Sequence, residues 1–88
     1  MEFNFPEINP GFSKGLDHYS ERVKLEVDEF QKAESLDDMA MEAIDVLHAA
    51  ETLVRKFFLE HPELNITAYI HDVKVKNSQR GYYTSKGA

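Results

Sequence analysis

Between residues 36 and 60 the apolar side chains return every three or four positions: Met39, Ala43, Val46, Leu47, Ala50, Leu53, Val54 and Phe57. That is the helical period, and a strand would instead alternate every second residue. Ile44 and Phe58 widen the stripe to close to half the circumference, more than one neighbouring helix covers. Such a helix is either the centre of a small bundle or part of a subunit interface. The breadth of the stripe favours the interface. The chain has 88 residues, which suits one domain with a thin core and few partners of its own to offer.

The remaining elements follow from punctuation. Leu16, Tyr19, Val23, Val27 and Phe30 repeat at helical steps and predict a helix over 16–33. Ser35-Leu36-Asp37-Asp38 then starts the long helix as a capping box, with Asp38 in the usual Glu position. Pro62 ends that helix, because proline cannot continue it. Asn65 can cap a third helix over 66–80, with Ile66, Tyr69, Ile70, Val73 and Asn77 facing inward, and Gly81 ends it. Residues 1–15 carry Pro6, Pro10, Gly11 and Gly15 and read as an extended lead-in. Within it Phe3, Phe5, Ile8 and Phe12 are expected to lie against the body. Residues 16–83 form the domain and 84–88 a frayed end. The fold class is therefore all-α: an antiparallel helical hairpin plus a third helix, assembling into an oligomeric bundle.

Composition narrows the function classes. There is no cysteine, so disulfides and Cys-based zinc sites are excluded. The net charge of −6 argues against a nucleic-acid binder. No apolar run approaches the ~20 residues of a membrane span. The first residues lack the basic and apolar regions of a secretory signal, so the expected location is cytoplasmic. The charge is unevenly spread. Residues 1–64 set six Lys and Arg against fifteen acids, a balance of −9. Residues 65–88 set four against one, a balance of +3.

Two acid pairs stand out in the acidic part. Glu26 and Glu29 are three apart on the first helix, and Glu42 and Asp45 are three apart on the second. Residues at that spacing share a helix face. Counted outward from the turn at 34–35, Glu29 and Glu42 lie roughly 8–11 Å along their helices, and Glu26 and Asp45 roughly 12–15 Å along. The pairs therefore fall at matching levels. Glu26 sits at the edge of its helix's apolar stripe, and Ala49 and Thr52 leave room beside Glu42 and Asp45. Four crowded carboxylates are unfavourable unless protons or cations neutralise them. A hard cation with oxygen ligands, Mg²⁺ or Mn²⁺, is the natural counterion. Acid pairs at this spacing also decorate solvated helix faces, and Asp37 and Asp38 need only the helix dipole to explain them. Lys76 and Arg80, neighbours at i, i+4, can grip phosphate, or simply favour the C-terminal end of the dipole. The four histidines have no ligand spacing and receive no role.

Glu26-Val27-Asp28-Glu29, then twelve residues, then Glu42-Ala43-Ile44-Asp45 resembles the E-x-x-E…E-x-x-D signature of MazG-like nucleotide pyrophosphohydrolases, the all-α NTP pyrophosphatases. The run from Met41 to Thr52 is similar to the second-motif helix of compact phage and Gram-positive members. Lys76-Asn77-x-x-Arg80-Gly81-Tyr82 is similar to their C-terminal K-N-x-x-R-G-Y element. Many members carry a further acid where this chain has Leu25.

The resemblance implies a helical dimer or tetramer. It also implies Mg²⁺-dependent cleavage of a (d)NTP between the α and β phosphates, giving a nucleoside monophosphate and pyrophosphate. By that likeness Glu26, Glu29, Glu42 and Asp45 are catalytic metal ligands, and Lys76, Asn77 and Arg80 contact phosphate or sugar. Neither a nucleic-acid nor a membrane partner is implied. The rival readings are a non-catalytic helical interaction module and a nucleotide-binding protein without turnover.

Overall fold

A computed structural model describes residues 4–6 and 13–84. Among them are three α-helices and no strand: α1 (Leu16–Lys32), α2 (Leu36–Glu60) and α3 (Ile66–Gln79). Each begins where the sequence places its start; α2 and α3 do so on side-chain caps, whereas Gly15 before α1 supplies none. Ser35 Oγ accepts from the Asp38 backbone N–H at 3.1 Å and caps α2. Asn65 Oδ1 accepts from the Thr67 N–H at 3.0 Å and caps α3. The end of α3 is closed by Gly81 at φ 76°, a left-handed conformation that costs glycine nothing. The Gly81 N–H donates to Ser78 O and the Tyr82 N–H to Asn77 O, both at 3.0 Å, so the last carbonyls are satisfied.

The helices α1 and α2 pack along one another. Residues from both line common grooves: Val27 and Phe30 with Ala43 and Val46 at one level, Leu16 and Ser20 with Leu53, Phe57 and Phe58 at another. Tyr19, the one buried apolar residue among those described, belongs to the contact side of α1. Residues 4–6 reach α2 as well. The Phe5 ring stacks on His48 with centroids 4.4 Å apart, and Phe5 O accepts from Arg55 Nη2 at 3.1 Å. Phe3, Ile8 and Phe12 lie outside the described residues, as does the chain end from residue 85.

The sequence expectation for α3 is corrected. Ile66, Tyr69, Ile70 and Val73 do not face inward: Ile70 is 48% exposed, and the other three are similarly open. Among the described residues α3 makes little contact with α1 or α2; its recorded link is a tilted Phe58–Tyr69 ring contact at 6.1 Å. Asn77 is only half-buried. Helical periodicity identifies an apolar stripe but not the object that covers it. Even the α2 stripe is covered only in part, with Val54 and Phe57 exposed. The radius of gyration is 15.2 Å, against about 12 Å for a compact chain of this length. No helix among the described residues is long and apolar enough to cross a membrane.

Candidate metal centre

The packing of α1 on α2 brings carboxylates from both helices together. Ligand oxygens of Glu26, Glu29 and Glu42 all lie within 4.8 Å of one another. The cause is local. The i, i+3 spacing puts Glu26 and Glu29 on one face of α1, and the three-residue connection Ala33–Ser35 sets Glu42 opposite them. Glu26 is 7% exposed, at the margin of the apolar contact, although carboxylates are rarely so enclosed without a partner. Glu42 is half-buried and Glu29 exposed.

The electrostatics record the crowding. Burial raises the Glu26 carboxyl above its ordinary value of 4.5; repulsion from Glu29 and Asp45 adds to this, and Arg22 opposes it. Glu42 is likewise raised by burial, then by the charges of Glu29, Asp45 and Glu26. Glu29 is close enough to act on both neighbours. As carboxylates none of the three can donate, and the buried Oε2 atoms of Glu26 and Glu42 have no hydrogen-bond partner. Enclosed carboxylate oxygens without donors are where a cation or a proton is wanted.

Asp45 is not among these three, although its charge reaches both Glu26 and Glu42. It lines, with Glu26, a cleft of about 270 Å³ walled by His18, Tyr19 and Arg22 from α1 and by His48, Ala49 and Thr52 from α2. The small residues Ala49 and Thr52 do leave room beside the acids. Thr52 Oγ1 donates to His48 O at 3.0 Å, which turns the hydroxyl back onto its own helix. Lys76, Asn77 and Arg80 do not line this cleft; they sit on α3 and its C-cap, which the chain leaves apart from α1 and α2.

Three cleft residues escape the sequence reading. His18 and His48 carry no spacing relation to each other, yet both reach the cleft from opposite helices. The His48 Nε2 is buried without a partner. Arg22 donates through Nη2 to Glu26 Oε1. Two of the three had a signal: Arg22 precedes Glu26 by four and His48 follows Asp45 by three, so each shares a face with an acid already singled out. The chain matches no known protein family, no characterised protein and no solved structure. The carboxylate geometry is thus the principal support for a functional reading.

Proposed function

We propose that this chain is a divalent-metal-dependent nucleoside triphosphate pyrophosphohydrolase that works as a homo-oligomer. The observation that carries the reading is the convergence of Glu26, Glu29 and Glu42 within 4.8 Å, with two buried oxygens lacking any donor. This donor set is all carboxylate, the chemistry that suits Mg²⁺ or Mn²⁺. Bound there, the metal would neutralise triphosphate charge and acidify a water. The protein residues have separable roles. Glu26, Glu29 and Glu42 hold the metal from two helices of an antiparallel hairpin. Asp45, on the cleft wall with Glu26, would in this reading take the proton of the attacking water. The cleft receives the nucleotide.

Assembly supplies what one chain lacks. Among the described residues Val54, Phe57, Ile70 and Val73 leave apolar surface uncovered, the kind of face a permanent interface buries. The uncovered faces of α2 and α3 are that interface in this reading. A second copy would cover Ile70 and Val73 and bring the basic Lys76, Asn77 and Arg80 of one chain toward the acidic cleft of its partner, where they grip phosphate.

Incubation with a panel of ribo- and deoxyribonucleoside triphosphates and Mg²⁺, separating pyrophosphate from orthophosphate, tests the reaction. Pyrophosphate with an equal amount of monophosphate is expected from at least one substrate. None from any substrate would sink the enzyme reading. The exposed apolar faces favour one rival, a non-catalytic interaction module. Under it neither Mg²⁺ nor nucleotide raises the melting temperature, whereas the enzyme reading requires both to do so by mass action.

A further inference from the structure

We propose that Arg22 is the resident counter-cation of the carboxylate cluster: it holds Glu26 until a divalent cation replaces it, and its freed guanidinium then grips the phosphate that the cation brings. This rests on the metal reading above and adds a residue that the signature motifs do not contain.

The argument starts from where Arg22 sits. It lies one helical turn before Glu26 on α1, so the i, i+4 pair is built into the helix. Other ion pairs among the described residues, such as Lys32–Asp28, Arg55–Glu51 and Lys56–Glu60, involve none of the three cluster carboxylates. Arg22 by contrast reaches the most enclosed carboxylate of the trio, whose side chain is only 9% exposed while the guanidinium side is 47% exposed. One end of this pair is therefore enclosed and the other reaches solvent. The contact uses Oε1 of Glu26 and leaves Oε2 without a partner. A single guanidinium thus neutralises only part of a three-carboxylate site.

A divalent cation satisfies the site better, because it can touch all three acids at once. On entering, it competes with Arg22 for Glu26, and two cations do not share one carboxylate without repulsion. The displaced guanidinium has somewhere to go. Arg22 already lines the cleft, beside His18 and across from His48 and Thr52. A planar guanidinium there meets an oxyanion bidentately. The buried, unpartnered Nε2 of His48 on the same cleft is a second polar atom awaiting a ligand. The exchange makes metal and phosphate binding cooperative: the metal releases the group that binds the anion.

The test separates this role from simple scaffolding of Glu26. Mn²⁺ alone is titrated by electron paramagnetic resonance into the wild-type oligomer, Arg22→Met and Arg22→Lys. Inorganic pyrophosphate is then titrated into the Mn²⁺-saturated proteins. Removing a resident competitor should tighten Mn²⁺ binding to R22M by about fivefold. Removing the anion's grip should weaken pyrophosphate binding to the same variant by about tenfold. R22K, which keeps the charge but not the fork, should fall between. A scaffolding role would instead weaken Mn²⁺ binding, and that result, or no change, overturns the proposal while leaving the metal site standing. Failure of the wild type to bind Mn²⁺ overturns both. Should the variants not fold, the guanidinium resonance of Arg22 in the wild type decides. Saturating Mg²⁺ is expected to shift it while that of Arg55 stays in place; an unmoved Arg22 signal overturns the exchange.

Discussion

The pair α1–α2 and the helix α3 have similar apolar content but opposite fates. In the first, the stripes of two helices meet, bury Tyr19 and carry Glu26 into partial enclosure. In the second, Ile66, Tyr69, Ile70 and Val73 form a stripe that stays exposed, with a Phe58 ring contact at Tyr69. Capping does not explain it, since Ser35 and Asn65 each satisfy a first-turn N–H, while the packed α1 starts after Gly15 with no side-chain cap. The difference is therefore tertiary. Local chemistry decides that a helix forms, and only the presence of a facing surface decides whether it is covered. It also divides the charge, with the enclosed acids on the packed pair and the basic Lys76 and Arg80 on the unpacked helix.

The comparison breaks most visibly at the cluster. Removal of an outer-shell partner of a metal site costs about 10–100-fold, and removal of a ligand costs more. Glu42→Gln is therefore expected to lower pyrophosphate release by over about 100-fold and to weaken Mn²⁺ binding with it. Asp45→Asn, outside the trio, should lower turnover about 100-fold as a lost general base with Mn²⁺ affinity nearly kept. Equal losses of affinity in both variants would place Asp45 among the ligands.

A charge on the uncovered face comes next. Burial of a valine or isoleucine at an interface contributes about 1.5–3 kcal/mol. Val73→Asp should therefore split the assembly in light scattering at micromolar concentration, while the same change in a solvated helix would leave the mass unaltered. If α3 serves no interface, the variant keeps the wild-type mass.

The raised carboxyls give a pH prediction with a definite sign. A folded pKa above the unfolded value near 4.5 for Glu26 and Glu42 means that the folded state holds protons the unfolded state has lost. That contribution is fully present below about pH 4.5 and is lost as pH rises through the raised values. Metal-free protein should therefore lose melting temperature from these two groups across that window, and Mg²⁺ should restore it at neutral pH. Glu42→Gln should flatten the loss. A metal-free melting temperature that climbs over the same range in the wild type and falls in Glu42→Gln would contradict the crowding.

The smallest effect concerns the cap. Ser35→Ala should cost about 1 kcal/mol, a fall in melting temperature of about 4–8 °C for a domain of this size. Turnover at low temperature should be unchanged, because Ser35 lies seven residues before Glu42.

Much of the fold was legible in the sequence. Ser35, Pro62, Asn65 and Gly81 mark helix ends by chemistry that acts within a few residues, and α2 spans the residues its stripe requires. The approach of Glu26, Glu29 and Glu42 was legible too, because the i, i+3 spacing and a short connection leave little freedom, but Asp45, expected with them, is not in that group. Two things were not. The exposure of Ile70 and Val73 depends on a surface elsewhere, which periodicity does not encode. That His18, Arg22 and His48 meet in one cleft depends on how α1 and α2 are rotated against each other, and the i, i+4 and i, i+3 relations of Arg22 and His48 to the acids mark a shared face but not that meeting.

The central claim is that three carboxylates from two helices hold one divalent cation. Anomalous diffraction from crystals grown with Mn²⁺ tests it most directly. The account predicts a peak about 2.1 Å from oxygens of Glu26, Glu29 and Glu42, with Arg22 turned from Glu26 into the cleft. A cluster with no anomalous peak at saturating Mn²⁺, its carboxyls bonded to one another and Arg22 still on Glu26, would contradict it.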